Sequence, residues 1–343
     1  MATHANTLFV QTQGAYLGKD GETVRVKVDN EVKLTVPLHH LQGIVCFGRI
    51  SVSPALMAAA AERDLTISYF SESGRFVARV VSATSGNVLL RREQYRRADD
   101  PAACLKIARA IIAAKIQNAR VNVLRGARES SSPEDVEQLK RAADRMACAL
   151  DTLARAETLD SARGCEGDAA RVYFEAFNGL IRQQRDAFSM TERSRRPPRD
   201  PLNALLSFGY AILTHEMAGA LESVGLDPAV GFLHVDRPGR LSLALDLLEE
   251  FRPLLADRLV LSLINLRQVK AEGFESQPGG AVLMDATTRK TFLTALTQRK
   301  RDEVAHPLLG DKVSIGLLPH IQARLLARHL RGDLADYPAL ILK

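Results

Sequence analysis

No stretch of this 343-residue chain is apolar for anything near the roughly 18 residues that a membrane-crossing helix needs. Its opening residues, MATHANTLFVQTQGAYL, lack the basic cluster and long apolar segment of a secretory signal, so a cytoplasmic protein without a membrane partner is expected. Cysteine is scarce and scattered: Cys46, Cys104, Cys148 and Cys165 form no Cys-x-x-Cys pair. That spacing argues against a thiolate zinc site and against a disulfide framework. Internal repeats and low-complexity tracts are also missing. What remains is a globular composition, 46% hydrophobic and 25% charged, long enough for two domains of ordinary size. The net charge of +6 fits a nucleic-acid partner without requiring one.

The first part of the chain alternates with a period of two. Val24, Val26 and Val28, then Val32, Leu34 and Val36, lie on either side of Asp29-Asn30, which reads as a β-hairpin with one apolar face. LTISYF (65–70) and GRFVARVVS (74–82) read as two more strands, and Ser53-Pro54 opens a short helix as cap and first-turn proline. From about residue 88 the period becomes helical, with Ile107, Ile111 and Ile116 near one face, and Ser132-Pro133 starting the next helix. Further helical segments run to about residue 331. The expected fold is therefore α+β: a small antiparallel β domain over 1–86, then a larger all-α domain over 87–343, divided near Ser85-Gly86-Asn87.

Carboxylates sit where the pattern asks for burial. Asp246, Glu249 and Glu250 share a helix otherwise filled by Leu243, Leu245, Leu247, Leu248 and Phe251. Such a helix cannot turn every acid to water, and a buried carboxylate needs a cation or a proton. Arg240, Arg252 and Arg258 are candidate ion-pair partners. His234 ends the apolar run AVGFLHV, and Glu166 lies between Cys165 and Gly167, read as the mouth of a helix with Gly164 and Gly167 allowing a sharp entry. Two carboxylates and an imidazole would suit Mg²⁺ or Mn²⁺, although only folding could bring Glu166 to His234. Helix geometry leaves open whether Asp246 or Glu249 would be the ligand. The connecting segment 182–201 carries Arg193, Arg195, Arg196 and Arg199, and reads either as a solvated loop or as a track for a phosphate backbone.

At these residues the sequence resembles a known family. CEGDAARVYFEAF, DPLNALLSFGYAIL, GLDPAVGFLHVDRPGRLSLALDLLEEFRP and IGLLPHIQARLLARHLRGDL are similar, in order and spacing, to blocks of the CRISPR-associated endonuclease and integrase of the adaptation module, the universal "Cas one" family. The last block and RPPRDPLNALLSFGYAIL look most like the branch that accompanies type I-C systems. The resemblance implies a metal-dependent DNA enzyme in which Glu166, His234 and Glu249 are the catalytic metal ligands for Mg²⁺ or Mn²⁺, with Asp246 supporting them. It implies a homodimer that joins the small "Cas two" protein, the N-terminal domain serving dimerisation and partner contact. Together they would insert double-stranded spacer precursors at a CRISPR repeat by 3′-hydroxyl attack on boundary phosphodiesters. Arg171, Arg240 and Arg252 become candidate phosphate contacts, Tyr210 and Tyr173 candidate stacking residues, and Arg324, Arg328 and Arg331 a basic helical stripe. A non-catalytic DNA-binding scaffold, whose acids only pair with arginines, is the competing reading. A metallohydrolase of RNA or small phosphoesters would instead require a narrow pocket.

Overall fold

A computed structural model describes residues 6–63, 65–81 and 88–341. The expected boundary at 85–87 lies outside the described residues. The first part folds as β1 (Asn6–Val10), β2 (Tyr16–Asp20), β3 (Thr23–Val28), β4 (Glu31–Pro37), β5 (Leu41–Phe47), β6 (Ser51–Val52), α1 (Pro54–Glu62), β7 (Thr66–Phe70) and β8 (Phe76–Val80). These strands form two four-stranded sheets, ordered β4-β3-β2-β6 and β1-β5-β7-β8.

The hairpin read from valine alternation is β3–β4. Its turn residues Asp29 and Asn30 have φ of 50° and 63°, a left-handed pair that short polar side chains tolerate. Val24 and Val26 face the core, but Val32 and Leu34 on the edge strand stay 47% and 45% exposed. The covering helix α1 packs mainly on β2 and β7.

The antiparallel expectation holds only in part. β1–β5, β5–β7 and β2–β6 are parallel pairs. For β5–β7 the cause is α1: Ser53 caps it by accepting from the Leu56 amide, and the helix carries the chain back to start β7 alongside β5. A helix between two strands of one sheet is the usual connection of a parallel pair.

The second part runs through α2 (Val88–Ala98), α3 (Pro101–Glu129), α4 (Pro133–Ala154), α5 (Leu159–Ala176), α6 (Arg185–Phe188), α7 (Pro201–Ser223) and α8 (Ser242–Phe251). A wide π turn, Arg252–Asp257, leads into α9 (Arg258–Asn265). Then follow β9 (Phe274–Ser276), β10 (Val282–Met284), α10 (Ala286–Arg301), β11 (Glu303–Ala305), β12 (Lys312–Ser314) and α11 (Leu318–Leu330). The all-α expectation is thus corrected by two antiparallel hairpins, β9–β10 and β11–β12. Strands of three residues are too short to show a period. Helix α3, about 43 Å long, packs against α4, α5 and α8 and forms the spine of the main core.

Helix starts follow the sequence signals. Asp100, Ser132 and Asp200 each precede a first-turn proline and accept an amide proton, from Ala102, Asp135 and Asn203. The start of α5 differs from expectation. Thr158 and Ser161 form a capping box, so the helix begins at Leu159 and Glu166 lies two turns inside it. Gly164 and Gly167 are helical residues, and an added Cβ at either would meet nothing within 4 Å. Replacing Asp200 by alanine removes the α7 cap and should lower the urea-unfolding free energy by about 1 kcal/mol. Unchanged stability would show that Pro201 alone sets that helix start.

Candidate functional site

The three acids of α8 are all buried, and each is compensated by a different part of the chain. Asp246 Oδ2 accepts from the amides of Phe232 at 2.6 Å and Leu233 at 2.9 Å. Its Oδ1 accepts from the His234 amide at 2.9 Å and from His234 Nδ1 at 2.6 Å. Gly231 permits this close approach, since a Cβ there would stand 2.8 Å from Asp246 Oδ2. The carboxylate only accepts, so His234 Nδ1 is the donor of this bond and Nε2 is the ring nitrogen turned toward Glu249. Asp246 is saturated with donors and holds the imidazole in orientation.

Glu250 points away, toward the chain end. It accepts from Tyr337 Oη at 2.6 Å, the Leu340 amide at 2.7 Å and Gln322 Nε2 at 3.1 Å. Burial pushes its carboxyl up to about 7, against the pull of those donors.

Glu249, 3% exposed, faces the other way. Its Oε2 lies 2.7 Å from Lys115 Nζ, and its Oε1 lies 2.9 Å from Arg252 Nη1 and 4.0 Å from His234 Nε2. Lys115 Nζ also pairs with Glu166 Oε1. Burial pushes the Glu249 carboxyl up, but Arg252 and then Lys115 outweigh it and hold the group down at about 2. The Lys115 ammonium therefore bridges Glu166 and Glu249, which come from separated segments, and His234 Nε2 stands beside the other oxygen of Glu249. Two carboxylates and an imidazole are donor types that suit Mg²⁺ or Mn²⁺. Among the described residues no group of three such side chains is placed to hold a metal ion.

Of the arginines considered for pairing, only Arg252 reaches an α8 acid. Arg240 bonds the Val235 carbonyl and, at 3.3 Å, Ser242 Oγ. Arg171, which is exposed, spans Asp168 and Glu175 at 2.5 and 2.8 Å, so its charge is balanced on its own helix. Arg193 departs from the reading as a backbone contact: it is half-buried, bonded to Asn203 Oδ1 at 2.5 Å and set against the rings of Tyr210 and Phe174. Tyr210 is likewise no free stacking surface. Its hydroxyl donates to Asp257 at 2.6 Å, and the Arg252 guanidinium lies 4.8 Å from its ring centre. Tyr173, 5% exposed, donates to the other oxygen of Asp257 at 2.9 Å. Burial pushes Asp257 up to about 6 despite both hydroxyls. Arg195, Arg196, Arg199, Arg324 and Arg328 are exposed. Arg324, Arg328 and Arg331 do line one face of α11 and its end, the last paired with Asp333 at 3.0 Å.

Sequence reasoning missed Lys115, although a signal was present. Lys115, Asn118 and Asn122 recur at helical spacing inside the apolar run of α3. Asn118 donates to the Glu250 carbonyl at 3.0 Å and Asn122 to the Pro253 carbonyl at 2.7 Å, so the stripe faces α8. A basic cleft was missed as well. It has a volume of about 1250 Å³ and runs between α3, α9 and α10. Arg125, Arg182, Arg258, Lys290, Arg299 and Arg301 outnumber Glu129 and Asp302 along it. Burial and the neighbouring Arg299 hold the Arg258 guanidinium below its usual range.

The sequence profile of the family described as CRISPR associated protein Cas1 matches residues 8–298. The chain belongs to the Cas1 family. It is 48% identical over 341 residues to CRISPR-associated endonuclease Cas1 1 of Chlorobaculum tepidum, covering 99% of each chain. It is 50% identical over 337 residues to CRISPR-associated endonuclease Cas1 2 of Rhodospirillum rubrum, covering 97% of each. Among solved structures, a Cas1 protein from Thermotoga maritima superposes with a TM-score of 0.79 at 22% identity, over 95% of this chain and 97% of that one. A casposase bound to integration product gives 0.78 at 22%, over 98% and 93%. These likenesses establish the Cas1 fold, a β-sheet region followed by a largely helical domain.

Within this Cas1 site Asp246 is the residue whose role is most directly testable. Asp246→Asn turns one acceptor into a donor facing donors, which should lower the unfolding free energy by about 3 kcal/mol. The His234 Nδ1 proton resonance should vanish with it. A variant that keeps both wild-type stability and that resonance would remove Asp246 as the anchor of His234.

Proposed function

We propose that this Cas1 protein is a metal-dependent DNA endonuclease and integrase of CRISPR adaptation, which inserts new spacers by directing a 3′-hydroxyl onto a repeat-boundary phosphodiester. The pairing of Glu166 and Glu249 on one ammonium, with His234 beside Glu249, supports this reading. The near-full-length relatives named as endonucleases support it, as does the casposase structure with its integration product. Glu166, Glu249 and His234 Nε2 would hold Mg²⁺ or Mn²⁺, which supplies Lewis-acid polarisation of the phosphoryl oxygen and a lowered hydroxyl pKa. The chain's own residues do the positioning. Asp246 fixes the imidazole, Arg252 fixes Glu249, and the buried Leu243, Leu247 and Leu248 keep the wall behind them dry. Exposed Arg195, Arg196, Arg199, Arg324 and Arg328, with the basic cleft, would take the phosphates of double-stranded DNA.

The protein works in this reading as a homodimer with the small "Cas two" protein. The uncovered Val32 and Leu34 on an edge strand support a protein contact through the β region, and a structure described as a Cas6-RT-Cas1–Cas2 complex contains a chain with a TM-score of 0.80 to this one, over 98% of it, at 23% identity. No helix of the described residues is long and apolar enough to cross a membrane, in keeping with work in the cytoplasm. The RPPRDP and α11 blocks support placement in the type I-C branch. One observation favours the scaffold reading: Lys115 and Arg252 already neutralise Glu166 and Glu249.

Strand transfer into a labelled repeat duplex decides between them. Glu166→Ala, His234→Ala and Glu249→Ala should each cut transfer by about two orders of magnitude or more with an unchanged circular dichroism spectrum, and EDTA should abolish it. Wild-type rates in a variant would remove that ligand, and full activity in EDTA would remove the metal. For binding, replacing Arg195, Arg196 and Arg199 together should reduce the slope of log K against log salt by roughly 3. An unaltered slope would take this segment off the DNA.

A further inference from the structure

Lys115 is the least expected group in the site. Its neighbours on α3 are Ile111, Ile112, Ile116 and Ala119, all buried, and the lysine side chain itself is only 14% exposed. A charge in such surroundings is tolerated only when paired, and it is paired twice, to Glu166 and to Glu249. Its backbone has no freedom to follow a moving partner, because Asn118 and Asn122 tie the same helix face to the Glu250 and Pro253 carbonyls.

We infer that Lys115 is a positioning residue that sets the cation affinity of the site: its ammonium and the divalent ion are alternative occupants of the space between Glu166 and Glu249. The inference rests on the reading of those carboxylates as metal ligands. The charges decide it. Two carboxylates face two cations, Lys115 and Arg252, so the cluster is already neutral. A doubly charged ion added to it is repelled unless one cation leaves. Arg252 is fixed by Glu249 on one side and the Tyr210 ring on the other. Lys115 has a flexible four-carbon stem, and beside it lies a cavity of about 30 Å³, mostly apolar, whose polar lining includes Glu166, Tyr173, Tyr210 and Asp257. The ammonium withdraws there. The divalent ion is then held weakly by the protein alone and more firmly when a substrate phosphate adds negative charge, which couples loading of the ion to the presence of DNA.

Titration with Mn²⁺, read as the electron paramagnetic resonance of the free ion, tests this on full-length wild type, Lys115→Met, Lys115→Arg and Glu249→Ala. Lys115→Met should bind one Mn²⁺ at least about tenfold more tightly than wild type, within the usual range of site–site coupling. Lys115→Arg, which keeps the charge, should stay near wild type, and Glu249→Ala should lose the site. Added duplex should tighten Mn²⁺ binding more in wild type than in Lys115→Met. If wild type binds one Mn²⁺ and Lys115→Met binds it no more tightly, competition by Lys115 is overturned while the metal reading stands. If wild type and Glu249→Ala bind Mn²⁺ alike, the metal reading fails, and the inference with it. Should Lys115→Met not fold, acylation of Lys115 in wild type serves instead. An amine-reactive reagent followed by mass spectrometry should modify it several-fold faster in Mn²⁺ than in EDTA, and equal rates would overturn the exchange.

Discussion

Three carboxylates lie buried on one ten-residue helix, and no buried carboxylate is stable without donors or a counter-charge. That constraint organises the helical part of the molecule, because each acid recruits a segment distant in sequence. Asp246 gathers the backbone of Phe232, Leu233 and His234. Glu249 draws in α3 through Lys115 and, through the same ammonium, α5 with Glu166. Glu250 pins the segment after α11 through Tyr337 and Leu340. Without α8 there would be no common point for these elements. Losing one partner of such a buried pair costs about 3–5 kcal/mol, so the site is also part of what holds the domain together.

The end of α8 extends the same logic. Pro253 has no amide proton, so the regular ladder cannot continue, and the chain takes a wide π turn through Asp257. Arg252, three residues after Glu249, folds back to it while lying against Tyr210. Asp257 then receives the hydroxyls of Tyr173 from α5 and Tyr210 from α7. Those two helices are thereby locked to the turn that follows the metal-binding candidate. The tyrosines serve as struts, and their rings are committed before any substrate arrives.

What could be read in the sequence was local. The Asp29-Asn30 hairpin, the Ser53-Pro54 and Ser132-Pro133 helix starts and the burial conflict on α8 depend on neighbours within a few residues. What could not be read depends on distant partners. Asp246 and Glu249 are equivalent by helix geometry, and resemblance alone favoured Glu249. The amides of residues 232–234 separate them, and only folding brings those amides in. The basic cleft escaped because its arginines come from α3, the segment before α6, α9 and α10. Glu166 was misplaced at a helix mouth because glycines suggested a turn, whereas the Thr158–Ser161 box upstream had already started the helix. Lys115 was legible in principle: a lysine three and seven residues ahead of two asparagines in an apolar helix marks a buried polar face.

The placement of charge divides binding from chemistry. Asn122 lines the basic cleft and follows Lys115 by seven residues on α3, which puts cleft and ligand cluster about 10 Å apart along the helix. The cleft is open, so its attraction for phosphate is screened over about 8 Å at physiological salt. In the cluster Glu249, Lys115 and Arg252 are largely covered, so their ion pairs are screened less than charges in the cleft. Because Lys115 and Arg252 neutralise Glu166 and Glu249, a DNA end brought there in the proposed function would meet a site that does not repel it. An uncompensated pair of carboxylates there would push the same phosphate away. In the proposed function, salt would act on how DNA is gathered, and the identity of the cation between the two glutamates on what happens to it once there.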